Sequence, residues 1–234
     1  MRVLAIGAHP DDLETLCGGT LARFAREGHE VVMCHAANGG KGSYVRTSEE
    51  ISRIRIGEAR RAAEICGAEH VTLGLPDGEV LAADPVQRSL FVDLIRDARP
   101  DLIITHTPED YHPDHNETSR LVFDTSFLAT VPLVVGTKPC HSKVTPIYFM
   151  EPASGLGFVP TEFVDVTGVI DIKEAMVRAH ESQVTWLREH AGGDLVGDMK
   201  TISAFRGQQC GVSYAEGFAP CLTALRCTTY RLLP

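Results

Sequence analysis

The sequence predicts a three-layer α/β domain built on a mostly parallel sheet. Short apolar runs alternate with stretches of helical period through the first two thirds of the chain, which is the pattern of successive βαβ units. The runs are continuous rather than alternating, as in strands covered by helices on both faces. Two clusters of histidine and aspartate each stand directly after one of these runs, where open α/β sheets place their sites.

Val3 to Ala8 reads as the first buried strand, and Leu16 to Glu27 as a helix with Leu16, Leu21 and Phe24 on its apolar side and Gly28 as its stop. Val31 to Ala37 is the second strand. The segment Asn38-Gly39-Gly40-Lys41-Gly42-Ser43 that follows is too polar and glycine-rich for a core. Asn38 to Tyr44 reads as a loop at the carboxyl edge of the sheet, equally suited to substrate contact or to a plain connection. Ser48 to Cys66 gives a long helix ended by Gly67, and Val71 to Leu75 the next strand. Asp84 to Arg96 is a helix and Asp101 to His106 a strand around Leu102-Ile103-Ile104. His115 to Leu128 reads as a helix with Glu117 in its first turn. From about residue 140 the pattern is less regular. Pro146 to Glu151 and Phe163 to Val166 suggest strands, Asp171 to Leu187 a helix, and Leu222 to Leu232 a terminal strand. With no repeat and no linker, residues 1–234 read as one Rossmann-like domain whose C-terminal part can cover the site.

The formal net charge of −9 and a pI near 5.5 disfavour nucleic acid and anionic membrane surfaces as partners. No apolar stretch approaches the ~20 residues of a membrane span, and the N-terminus turns acidic after one short apolar run, so a cytoplasmic location is expected. The seven cysteines are scattered without a C-x-x-C pair, which suits reduced, mostly buried thiols.

The first cluster, His9-Pro10-Asp11-Asp12-Leu13-Glu14, puts an imidazole and three carboxylates where a dinucleotide fold would place glycines. Phosphate would be repelled there, and a cation attracted. Asp11 and Asp12 also suit helix capping, but capping has no use for both. The second cluster is Asp110-Tyr111-His112-Pro113-Asp114-His115. Its two histidines stand three apart around a proline suited to a helix start, so both rings can face one side. His29, His70, His141 and His190 stand alone and read as ordinary surface or core residues. If the clusters meet, two imidazoles and one carboxylate favour zinc over magnesium. A vacant fourth position would hold the water of a hydrolase, leaving one carboxylate as base and one imidazole as donor.

These two motifs, each following a strand, resemble the signatures of the LmbE-like (PIG-L) family of zinc-dependent de-N-acetylases. The likeness runs over roughly the first 130 residues, with later echoes at Arg206-Gly207 and Ala215-Glu216-Gly217-Phe218. The resemblance implies that His9, Asp12 and His115 ligate Zn2+, that Asp11 is the base, and that His112 stabilises the tetrahedral intermediate with Asp114 orienting its ring. It also implies that Arg55 and Asp77 face the substrate. The implied activity is removal of an N-acetyl group from an amino sugar or related small molecule, by a protein that can form trimers or hexamers. In some family members a Tyr stands two residues before the first His of the second motif; here that position is Asp110, and Tyr111 is given no role.

Two other functions fit parts of the pattern. A zinc-dependent hydratase of unsaturated polycarboxylic acids would want an arginine-rich pocket, for which Arg46, Arg53, Arg55, Arg60 and Arg206 are the candidates. A non-catalytic metal-binding signalling domain would use the paired Asp but leave His9, His112 and His115 unexplained.

Overall fold

The computed structural model describes residues 1–234, the side chain of residue 191 excepted. In chain order its elements are β1 (Arg2–Gly7), α1 (Asp12–Arg26), β2 (Glu30–Ala37), α2 (Ser48–Cys66), β3 (Glu69–Leu75), α3 (Pro85–Ala98), β4 (Leu102–His106) and α4 (Pro113–Leu128). They continue with β5 (Ile147–Met150), β6 (Glu162–Asp165), α5 (Ile170–Arg178), α6 (Glu181–Ala191), α7 (Leu195–Cys210) and β7 (Ala215–Pro220). The strands form one seven-stranded sheet in the order β3-β2-β1-β4-β5-β7-β6. The first five run parallel, while β7 pairs antiparallel with both β5 and β6.

The central strands carry unbroken apolar runs, Val3 to Ile6 in β1 and Leu102 to Ile104 in β4, because both faces are covered. Val3 and Ala5 of β1, with Leu102 and Ile104 of β4, pack against α1 and α2 through Leu13, Leu21, Phe24 and Ala62. Leu4, Ile6 and Ile103 point the other way, into a second core with Phe91 and Ile95 of α3 and Leu121 of α4. The strand period of two thus divides one apolar run between two cores. Local signals set the helix ends. Thr47 and Glu50 form a reciprocal capping box at the start of α2, and Gly67 closes it in the left-handed conformation at φ 80°. Asp84 caps α3 by accepting the N–H groups of Val86 and Gln87, just before Pro85.

The C-terminal third corrects several expectations. Residues Leu222 to Leu232 do not form a strand. The last strand is β7, and Leu232 is part of a coil that packs into the α1-side core. The helix expected over Asp171 to Leu187 is two helices, broken at His180, whose backbone leaves the helical region (φ −86°, ψ 56°) and whose ring reaches buried Glu14. Helix α7 escaped the sequence reading because its buried side carries Ser203, Arg206 and Gly207 beside Val196 and Met199. Buried polar residues there mask the period that apolar ones would reveal. Helix α1 begins at Asp12, ahead of the expected Leu16, since its apolar face already starts at Leu13.

Candidate metal centre and active site

The order 3-2-1-4-5 places β2 and β4 on opposite sides of β1, so the chain reverses its direction of travel across the sheet between β1 and β4. The loops leaving the carboxyl ends of two such strands diverge to opposite faces and open a crevice. The two motifs are these loops. Side chains distant in sequence therefore meet: the N–H of Ala8 donates to His106 Nε2 at 2.9 Å, and His115 Nε2 lies 3.3 Å from Asp12 Oδ1.

Three overlapping sets of donor atoms, each within 4.8 Å of one another, can hold a cation: His9, His112 and His115; Asp12, His106 and His115; and His9, Asp77 and Asp114. The trio expected from sequence, His9, Asp12 and His115, is drawn from the first two. Asp12 Oδ2 stands 3.5 Å from His9 Nδ1, and the rings of His9 and His115 are 5.4 Å apart between centroids. His9 turns its other nitrogen, Nε2, towards Asp114 at 3.1 Å and Asp77 at 3.2 Å. The site thus offers two imidazoles and a carboxylate oxygen on adjoining sides of one small space, a donor set that suits zinc.

Asp11 and Asp12 do different things. Asp11 is the N-cap residue of α1 by position, yet its carboxylate makes no capping hydrogen bond. It lies instead 3.3 Å from Arg55 Nη2, on a backbone held at φ 118°. A non-glycine residue at positive φ stores strain of a kind that concentrates at functional sites. Asp12 accepts the N–H of His9 at 2.6 Å and reaches both His106 and His115.

His112 is the N-cap of α4, just before Pro113, and its Nδ1 accepts the N–H of Asp114 at 3.2 Å. A ring nitrogen that accepts carries no proton, so a neutral His112 keeps its hydrogen on Nε2 as a donor. The carboxylate of Asp114, expected beside the His112 ring, is directed at His9 and accepts the N–H of Gly78 at 2.7 Å. Asp77, expected to meet substrate, accepts the N–H of Lys41 at 3.0 Å and stands by His9 and Arg55. Buried Arg55 donates to the carbonyls of Pro10 and Gly39, and so ties the first motif to the Gly-rich loop. A Cβ on Gly39 would come within 2.7 Å of Arg55 Nε, at φ 68°, so only glycine lets the loop approach so closely.

Electrostatics follows from this packing. Burial disfavours charge on the His9 ring, but Asp114, Asp12 and Asp77 outweigh it and raise the pKa well above the ordinary value. Burial likewise opposes charge on His115, and Asp12 and Asp110 lift it to about 9. Asp77 is pushed up by burial and pulled down further by His9 and the Lys41 N–H, to about 2. Burial raises the Asp11 pKa, opposed by Arg55 and helped by Asp12. On His112, burial and the neighbouring His9 and His115 favour the neutral ring. A region that holds protons on two imidazoles is one whose field favours a cation in their place.

Two members of this centre have no role assigned by the sequence. His106 is only a strand end in the sequence, yet its Nε2 lies 3.2 Å from Asp12 and its ring stacks on His115 at 4.0 Å. Asp110 stands 3.0 Å from His115 Nδ1, a placement that fixes which nitrogen His115 offers to the pocket. A polar residue closing the apolar run Leu102-Ile103-Ile104-Thr105 was the available signal for His106. A cavity of about 430 Å³ opens over the centre, lined by His9, Asp11, Asp12, Arg55, Asp77, Tyr111, His112 and His115 and, from the C-terminal part, by Gln183, Trp186, Leu187 and Leu195. Of the five arginines that a polycarboxylate pocket could use, Arg55 alone lines it; Arg206 is paired with Glu151.

Comparison with known proteins agrees with this architecture. A diacetylchitobiose deacetylase of Thermococcus kodakarensis is 28% identical over 228 residues, covering 92% of this chain and 81% of the relative. The structure of an N,N′-diacetylchitobiose deacetylase from Pyrococcus horikoshii, complexed with an inhibitor, superposes with a TM-score of 0.81 at 26% identity over 94% of this chain and 83% of the other. The 4-carboxy-2-hydroxymuconate hydratase GalB of Pseudomonas putida KT2440 shares the fold, with a TM-score of 0.84 over 99% of this chain and 100% of that one, at 24% identity. Residues 4–126, which contain both motifs, match the family of GlcNAc-PI de-N-acetylases. The chain belongs to this PIG-L family.

Proposed function

We propose that this protein is a zinc-dependent hydrolase that removes the N-acetyl group of an amino sugar. The observation that carries the reading is the carboxylate of Asp11: half-buried, free of any capping role and set with His9 and Asp12 in the pocket lining. His9, Asp12 and His115 would hold the metal, which when bound supplies Lewis-acid polarisation and a lowered pKa for water. The relatives named as deacetylases of acetylated sugars support the substrate class. The single pocket arginine, already engaged by Asp11 and two carbonyls, disfavours a polycarboxylate substrate.

In this reading Asp11 accepts a proton from the attacking water as the new C–O bond forms on the acetamido carbonyl. The Nε2–H of His112 donates a hydrogen bond to the carbonyl oxygen as charge develops there. The C–N bond then breaks, the proton held by Asp11 passes to the departing nitrogen, and acetate and a free amine result. Arg55 keeps the Asp11 carboxylate aimed at the pocket. The test is acetate release from N,N′-diacetylchitobiose and N-acetylglucosamine by zinc-loaded protein, run beside a diene-absorbance assay on an unsaturated dicarboxylic acid. Acetate from the sugars alone is expected; loss of diene absorbance without acetate would replace deacetylation by hydration.

A further inference from the structure

One residue of the pocket lining, Trp186, belongs to an aromatic cluster with no part in the chemistry above. Trp186, the only tryptophan of the chain, lines the cavity from α6. Tyr44, on the Gly-rich loop, lies nearly parallel to it, with centroids 6.0 Å apart and an interplanar angle of 19°. His190, one turn along α6, packs on both, 4.3 Å from Tyr44 and 5.7 Å from Trp186. Burial would explain such a cluster in a core, but Tyr44 is 71% exposed. The loop that carries it is held in place: Gln183 Nε2 donates to the Gly42 carbonyl at 3.2 Å, and the Lys41 N–H to Asp77. The lining of the cavity therefore combines imidazoles and carboxylates with the apolar side chains of Leu16, Trp186, Leu187 and Leu195.

A pyranose ring has the matching asymmetry, with hydroxyl and acetamido groups at its rim and C–H groups across its faces. Flat aromatic side chains provide large, rigid contact area for such faces at low entropic cost, and an anchored loop lowers that cost further. We propose that Trp186, held by Tyr44 and His190 packed against it, forms a sugar-stacking wall that holds a pyranose ring while its acetamido group faces His112 and Asp11. This rests on the amino-sugar reading and adds the residues that select a ring over an open-chain amide. These side chains act in binding, so their loss raises KM for the sugar and leaves kcat nearly unchanged.

Two measurements test it. The first is intrinsic tryptophan fluorescence of zinc-loaded Asp11→Asn protein titrated with N,N′-diacetylchitobiose, with N-acetylethanolamine as the acyclic control. A saturable change with the sugar and none with the control is expected; no response to the sugar overturns the wall. The second compares Tyr44→Ala, Trp186→Ala and Trp186→Phe. We expect KM for the sugar to rise about fivefold to tenfold in both alanine variants, with little change in Trp186→Phe and no change for the acyclic amide. An unchanged sugar KM in folded Tyr44→Ala, or equal losses on sugar and acyclic amide, overturns the proposal. Wild-type protein that releases no acetate from any amide sinks the deacetylase reading instead, and the fluorescence titration still decides the wall.

Discussion

At the scale of single residues, the centre is a competition between burial and charge. Asp11 shows the outcome most directly, because its backbone strain serves no capping bond and its carboxylate is kept off the helix by Arg55. Replacing it with Asn keeps the shape and a residue that tolerates positive φ. Asp11→Asn should keep its zinc and its melting temperature while losing about 10²–10⁴ in kcat, the usual contribution of a positioned base. Near-normal turnover with full zinc content would remove Asp11 from the chemistry. His70, away from the centre, gives a pH prediction. Its Nε2 lies 3.4 Å from His35 Nδ1; burial, reinforced by His35, lowers its pKa from 6.5 to about 4, with buried Glu14 opposing and Arg60 and His180 lowering it further. A folded pKa below the unfolded one means that the unfolded chain takes up the proton more readily. This contribution to stability is therefore complete above about pH 6.5 and lost as pH falls towards 4. His70→Gln should shift acid unfolding, followed by circular dichroism, to lower pH; superimposable curves would show that His70 carries no such linkage.

At the scale of elements, the C-terminal part is held by buried ion pairs as well as by apolar contacts such as those of Ile170, Val177, Val196 and Met199. Arg206 of α7 donates through Nε to both carboxylate oxygens of Glu151, at 2.9 Å each, with both residues almost fully buried. Lys173 of α5 pairs with Glu216 of β7 at 2.7 Å, and Glu216 also accepts the N–H groups of Gly19 and Thr20 in α1. Removing one partner of a buried pair strands the other charge, so Arg206→Met should cost ~3–5 kcal/mol, and Arg206→Met with Glu151→Leu should recover much of it. Urea unfolding of the three proteins measures this, and a single variant as stable as wild type would show that the pair contributes nothing. The same pairs explain what was legible in the sequence. Elements from β1 to α4 advertise themselves by apolar period, caps and glycine stops, as Thr47, Glu50 and Gly67 do for α2. Helix α7 and strand β7 bury Arg206, Ser203 and Glu216, whose partners lie far away in the chain and leave no local trace. The echoes at Arg206-Gly207 and Glu216 were visible as residues, but their pairing depends on a fold that no short window encodes.

At the scale of the whole molecule, the site was legible as two motifs and illegible as a centre, because what joins them is strand order. Nothing within residues 9–14 or 110–115 states that β1 and β4 are neighbours; that follows from the reversal of the sheet between them. His106, at the tip of β4, matters for the same reason, since it touches the first motif only once the strands pair. The topology also predicts how the protein responds to loss of metal. The cores on the two faces of the sheet are built from apolar contacts that involve none of the candidate ligands, and in the centre itself the imidazoles pair with Asp12, Asp77, Asp110 and Asp114. Chelation should therefore abolish turnover but leave a folded chain. A ligand present at about a hundred times its Kd stabilises by ~2.7 kcal/mol, which for a chain of this size corresponds to about 5–10 °C in Tm. We expect chelator-treated protein to melt cooperatively within that interval of the zinc-loaded form, with Tm and acetate release both restored by added zinc. Unfolding on chelation at room temperature would assign the cation a structural role, and restoration by magnesium in place of zinc would displace the imidazoles from the ligand set.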